Sequence, residues 1–433
     1  MIILEELPFY TLRQLTINEE RGGTVNRKTA TYFKRITAVL SSVFLTSAAF
    51  AGTGLIADAS ATSITRISGS TRYETMAMVS QTALPSAASG AVVVASGNSF
   101  PDALAASSLA GYLNAPILLT DPKTPSNATV SELDRLDVNT IYIIGGTNAV
   151  SNNAEKVIQA SRPSATITRL AGSTRFDTAY QIYSELTKLG VKSETAIIST
   201  GANFADALSV SPYSYMQSAP FFLSSQSGLD EESLAALKDF QSAIIVGGTN
   251  AVPSSVEQQL RSIGVATSRI QGTTRYETSL EISKFTLEGL SIDPSSVVYA
   301  TGANFPDALS GSALAGLNKT VLLLAQNDSS PTIGASSILP NVESVYVLGG
   351  QNAIGPATFN AIAKSFGLSD REYVPQPTPK PQPKPDDPVY GTHKAGEFCK
   401  KSDLNKTDHD ARNGKLIVCK VASGDNKPRW HYV

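Results

Sequence analysis

The chain has 433 residues, with 35 Lys and Arg against 37 Asp and Glu, a net charge of −2 and a hydrophobic fraction of 42%. That length accommodates roughly two to four domains, and the balanced charge supplies no field that would attract a nucleic acid. All three histidines (His393, His409, His431), both cysteines and Trp430 follow Val389, so the main body is without Ser-His-Asp triads, Cys-His pairs and His- or Cys-ligated metals, and no cofactor is expected.

Arg27, Lys28, Lys34 and Arg35 precede an apolar run from Ile36 to Ala51 that ends in Ala49-Phe50-Ala51. This order reads as a secretory signal peptide, and the run is shorter than the roughly 20 residues of a spanning helix. Ala59-Ser60-Ala61 is a second cleavage pattern, so residues 1–61 are read as leader and signal, cut after Ala61 or Ala51, with no membrane attachment expected afterwards. Glu20-Arg21-Gly22-Gly23 matches the in-frame translation of a ribosome-binding site, which makes Val25 the hypothesised start; a natively expressed peptide from before it would refute this.

Three blocks then recur in order, about 100 residues apart. The first is Gly69-Ser70-Thr71-Arg72-Tyr73-Glu74-Thr75, repeated at Gly172–Thr178 and Gly272–Thr278. The second is Ser96-Gly97-Asn98-Ser99-Phe100-Pro101-Asp102-Ala103-Leu104, repeated at Thr200–Leu208 and Thr301–Leu309, and the third is Ile144–Val150, repeated at Val246–Val252 and Leu348–Ile354. In the first copy, Ile64–Ile67, Ala91–Ala95, Pro116–Thr120 and Thr140–Ile144 read as strands. Helices are expected at Thr71–Leu84, Asp102–Leu113, Asn127–Leu136 and Asn152–Ser161, with Ser, Asp or Asn near their starts. Apolar strands alternating with helices predict a parallel sheet covered on both faces, hence an α/β fold with an open sandwich in each copy, over 62–163, 164–265 and 266–369.

These blocks resemble the cell wall binding type 2 repeat of Gram-positive surface proteins from about Ile64 to Phe366. The resemblance implies a pseudo-threefold trimer within one monomeric chain, binding an anionic wall polymer noncovalently at the cell surface. The family's Pro-Ile-Leu-Leu-Thr strand is kept at Pro116–Thr120 but becomes Pro220–Ser224 and ends at Ala325 in the third copy. The resemblance places Thr120 and Ser224 near ligand or inter-repeat contacts and makes the three sites unequal.

Arg72, Arg175 and Arg275 stand at helix starts, where a guanidinium beside free N–H groups suits an anion. The alternative is a pair with Glu74, Asp177 or Glu277, or with a neighbouring repeat. Asp102, Asp206 and Asp307 begin the second helix; capping is expected of them, with ligand binding as the alternative. The Gly145-Gly146 and Gly247-Gly248 pairs read as tight turns, since no Gly-Lys-Ser/Thr or G-x-G-x-x-G accompanies them.

Pro375–Pro388, within 370–388, reads as a semi-rigid spacer before a small basic module at 389–433. A Cys399–Cys419 disulfide is expected there, and a zinc site with His409 and His431 lacks ligand spacing. The module looks like one found on exported actinobacterial proteins. The expected function is noncovalent attachment to the wall, without enzymatic activity. The rivals are a wall hydrolase such as an amidase or its modifier, which meets only a linker and a small tail after Phe366, and a structural or adhesive surface protein.

Overall fold

Residues 63–86, 90–100 and 102–368, and in the tail 393–400, 403–409, 416–421 and 427–432, are described by a computed structural model. The segment read as a signal peptide, with both expected cleavage patterns, Val25 and the Pro-rich spacer lie outside the described residues. The first copy runs β1 (Ser63–Ile67), α1 (Arg72–Ala83), β2 (Ala91–Ser96), a 3-10 turn (Ala103–Ala105), α2 (Ala106–Tyr112), β3 (Ile117–Thr120), α3 (Asn127–Leu136), β4 (Thr140–Ile144) and α4 (Asn152–Ser161). The second runs β5 (Thr166–Leu170), α5 (Arg175–Lys188), β6 (Thr195–Thr200), α6 (Ala205–Gln217), β7 (Phe221–Ser224), α7 (Glu231–Leu237), β8 (Ser242–Val246) and α8 (Ser254–Ser262). The third runs β9 (Ala266–Ile270), α9 (Arg275–Leu290), β10 (Ser296–Thr301), α10 (Pro306–Leu317), β11 (Leu322–Ala325), a 3-10 helix (Pro331–Ile338), β12 (Ser344–Leu348) and α11 (Pro356–Ser365).

The first repeated block is a helix start in each copy. Thr71, Thr174 and Thr274 accept from the backbone N–H of Glu74, Asp177 and Glu277, and the Asp177 and Glu277 side chains return the bond as capping boxes. Gly69, Gly172 and Gly272 donate to the hydroxyls of Thr75, Thr178 and Thr278 at 3.0, 3.1 and 3.0 Å, so close to the helix that a methyl group at any of them would strike the acidic side chain. Block one is therefore a complete capping unit, and this local chemistry aims the arginine that follows its threonine.

Each sheet has four parallel strands, in the orders β3-β2-β4-β5, β7-β6-β8-β9 and β11-β10-β12-β1. The last strand in each order comes from the next copy along the chain, and β1 closes the cycle by pairing with β12, Ile67 opposite Leu348. Units begun at 62, 164 and 266 thus each start on a strand that completes a neighbour's sheet. Strand interiors such as Val92–Ala95 are fully buried, as expected for a sheet covered on both faces.

The pseudo-threefold arrangement centres on α2, α6 and α10, which pack against one another. At one end of this packing the rings of Phe100, Phe204 and Phe305 form a triangle with centroids 5.4, 5.9 and 6.0 Å apart. Nearer the helix C-termini the symmetry breaks: equivalent positions hold Gly111, Tyr215 and Gly316. A side chain at Gly111 would collide with the Tyr215 backbone and one at Gly316 with its ring, while Tyr215 donates to the Ala115 carbonyl at 3.1 Å. The space accommodates one large side chain, and two glycines make room for it.

The tail folds as an antiparallel sheet of β13 (Thr407–His409), β14 (Leu416–Lys420) and β15 (Arg429–Tyr432), tied by the expected Cys399–Cys419 disulfide. With both sulfurs in that bond, neither is a zinc ligand. His393 lies against Trp430, with ring centroids 4.6 Å apart, and 2.6 Å from the Asp408 carboxylate.

Candidate functional site

The three blocks meet where neighbouring copies join. At the start of α1, α5 and α9, Arg72, Arg175 and Arg275 are half-buried and donate through Nη1 to the carbonyls of Gly97, Gly201 and Gly302 in their own copy, the last at 2.7 Å. The same guanidinium groups reach the preceding copy. Arg175 lies 5.9 Å from the Phe100 ring and Arg275 5.7 Å from the Phe204 ring.

Among the described residues no carboxylate comes within ion-pair distance of these arginines. The pairing with Glu74, Asp177 or Glu277 is excluded because those carboxylates serve the helix start: Glu74 accepts from Ser70 N–H at 2.6 Å, Asp177 from Thr174 N–H at 2.9 Å and Glu277 from Thr273 N–H at 2.6 Å.

The aspartates do not cap. Asp206 and Asp307 are the second residues of α6 and α10, whose N-cap residues are Phe204 and Phe305, and Asp102, before the 3-10 turn, makes no capping bond. Their carboxyls lean on the glycine turn after the third strand of the sheet. A methyl at Gly145 or Gly247 would lie 2.8 or 2.6 Å from Oδ2 of Asp102 or Asp206, and one at Gly349 nearer still to Asp307. All three glycines also have positive φ, of 101°, 105° and 93°, so the turn excludes a side chain twice over.

Burial pushes the Asp307 carboxyl up to about 6 despite the opposing attraction of Arg72 from the other side of the junction. Asp206 is raised for the same reason, opposed by Arg275 and by a bond from the Thr278 hydroxyl. At two junctions an Arg of one copy thus lies near an Asp of the preceding copy, Arg72 by Asp307 and Arg275 by Asp206. Between the third and first copies this makes a polar groove of about 490 Å³, lined by Ser70, Thr71, Arg72, Asn304, Asp307 and Asn352.

Thr120 and Ser224 are not brought to the groove. Both are buried, their hydroxyls donating to the carbonyls of Asp121 and Ser225 at 3.1 and 2.8 Å. What recurs is the backbone: Thr120, Ser224 and Ala325 accept from Gly97, Gly201 and Gly302 N–H, so Ala325 meets the same structural need.

A second set of arginines escaped the sequence reading. Arg66, Arg169 and Arg269, six residues before the first set, donate to the carbonyls of Gly349, Gly145 and Gly247 at 2.8, 2.7 and 2.7 Å. Each glycine turn is therefore held between an Asp of its own copy and an Arg of the next. Arg169 and Arg269 also bridge Glu155 and Glu257, whereas Arg66 stacks on Phe359, 4.7 Å from its ring centre. The fixed six-residue spacing was the available signal.

The family model for cell wall binding domain 2 matches residues 66–155, 169–257 and 269–359. The chain belongs to this family. The chain is 32% identical over 328 residues to the N-acetylmuramoyl-L-alanine amidase LytC of Bacillus subtilis (strain 168), covering 75% of this chain and 62% of the relative. It is 29% identical to the amidase enhancer of the same organism, over 70% of this chain and 41% of the relative. The solved structures of Cwp6 and Cwp8 from Clostridium difficile superpose with a TM-score of 0.63 each, at 25% and 26% identity, covering 71% and 70% of this chain and 48% and 52% of theirs. The chain thus spans less than two thirds of the length of these relatives. Its repeat region is a cell wall binding module of the cell surface, and no helix among the described residues is long and apolar enough to cross a membrane.

Proposed function

We propose that the three junctions grip an anionic wall polymer, teichoic-acid-like or a secondary wall polysaccharide, and hold the exported protein on the wall without a covalent bond. The observation that carries this reading is the placement, repeated in all three copies, of a half-buried guanidinium bonded to a glycine carbonyl just past the carboxyl end of a parallel strand. Such ends are where open α/β sheets take ligands. A guanidinium held by one backbone carbonyl keeps other donors for phosphate or carboxylate oxygens.

Replication supports binding over catalysis. Three weak sites on a repeating polymer gain avidity by raising the local concentration of the next contact, an advantage a reaction centre does not need. A hydrolytic activity would have to come from carboxylate, Lys, Tyr or Ser chemistry, because no His or Cys occurs before Val389.

The test is retention of the mature chain on intact walls, polymer-stripped walls and isolated polymer across a salt series, where binding should fall as salt rises. The triple variant Arg72→Ala, Arg175→Ala, Arg275→Ala, checked for folding by circular dichroism, should lose retention. Undiminished retention on stripped walls would favour a purely assembling role, and release of peptide or sugar from peptidoglycan by the purified chain would favour an enzyme.

A further inference from the structure

Because the fold is built three times, the other two copies are internal controls for any feature found in one. The second copy packs three aromatic rings beside α5 at positions where neither sibling has one. Tyr183, Phe222 and Phe240 stand where the first copy has Ser80, Leu118 and Val138 and the third has Ser283, Leu323 and Val342. The Tyr183 ring lies 5.2 Å from Phe222 and 5.7 Å from Phe240, and Phe222 and Phe240 are 5.8 Å apart. Two sibling copies fold with Ser, Leu and Val there, the third placing the rings of Tyr299 and Phe366 in the same core layer.

The same region differs in its opening. In the first copy the ten-residue α3 carries Arg135, which bridges Glu132 at 2.7 Å and reaches back to the Leu84 carbonyl at 2.9 Å, while Gln81 bonds Glu132 at 3.2 Å. That network ties α1 to α3. In the second copy the counterpart helix, α7, has seven residues, and a cleft of about 370 Å³ lies beside α5. Half-buried Tyr183 and the buried Phe240 and Pro220 line it, and Lys192, Glu194 and Asp239 provide charged groups. Asp239 lies 3.5 Å from the Tyr183 hydroxyl.

The geometry points to a second binding site, one that takes an uncharged or amino-bearing sugar ring of a glycan, stacked on the Tyr183 ring. An aromatic face receives the C–H side of such a ring, and carboxylates accept from its hydroxyl or ammonium groups. Two carboxylates against one cation disfavour a polyanion, which separates this cleft from the junctions, and the volume lies in the range of small-ligand pockets. The inference does not depend on the proposed polymer binding.

The full mature chain would be titrated with a glucose oligomer and an amino-sugar oligomer by calorimetry and saturation-transfer NMR. Binding of either supports the site and identifies the sugar type; binding of neither at millimolar concentration overturns it. Tyr183→Ser and Phe240→Val, which install the first copy's residues, should weaken binding about tenfold or more, as should the surface change Asp239→Asn. Unchanged sugar affinity in all three variants would place binding elsewhere and overturn the proposal. Retention on polymer-bearing walls should match the parent chain in each folded variant; a joint loss of both would make the two sites one and equally overturn it.

Discussion

Asp307 of the third copy and Arg72 of the first face each other across the junction that closes the ring, near enough for the cation to oppose the burial that raises the acid. The pairing joins residues at opposite ends of the repeat region. It also makes stability depend on pH in a defined direction.

With Asp307 at about 6 when folded and near 4 when unfolded, the folded state holds more protons between those values. Its contribution to stability is therefore greatest at low pH and is lost as pH rises through about 6. Asp206 is shifted in the same direction. Asp307→Asn should raise the melting temperature relative to the parent at about pH 7.5 and narrow the difference at about pH 5. Thermal melts at both values check this, and a parent advantage that grows with pH would contradict it.

At the helix packing, Gly316→Ala should cost about 1–3 kcal/mol, the usual range for overpacking, because its methyl would meet the Tyr215 ring. Gly111→Ala should cost more, since its methyl would meet Tyr215 backbone, which cannot rotate away. Tyr215→Phe should cost about 1 kcal/mol through its bond to Ala115. Urea unfolding of the three variants would rank them.

Removing a cap tests whether block one is local chemistry repeated. Thr274→Ala should destabilise by about 1 kcal/mol, and Thr174→Ala by a similar amount, because each ends a capping box. Hydrogen exchange should show the loss in the first turn of α9 or α5 alone.

Reduction of Cys399–Cys419 should expose the tail to protease, because a bridge spanning 20 residues in so small a core contributes about 3 kcal/mol. Retention on walls should survive, since the proposed grip lies in the repeats. Limited proteolysis followed by the wall pull-down separates the two effects.

The repeated blocks made the alternation of strands and helices legible, down to Asn127–Leu136 and Asn152–Ser161. Legibility failed where a choice depends on a partner distant in the chain. Ile64–Ile67 shows the periodicity of a strand, but that periodicity is identical whether it joins its own copy or the last. Asp102 looked like a cap because acids near helix starts usually are; only the packed turn at Gly145 shows where its carboxyl points. Arg66 was passed over because one polar residue in a short strand carries no sign of the carbonyl it will meet.

The exchange of β1 into the third copy's sheet fixes how many copies the ring can hold. Were one removed or added, the opening strand would have to span a different gap to reach the closing one, or leave a raw edge exposed. Gene duplication can lengthen an open stack one unit at a time, but here the tally is sealed by the first strand, so growth by single units breaks the circle.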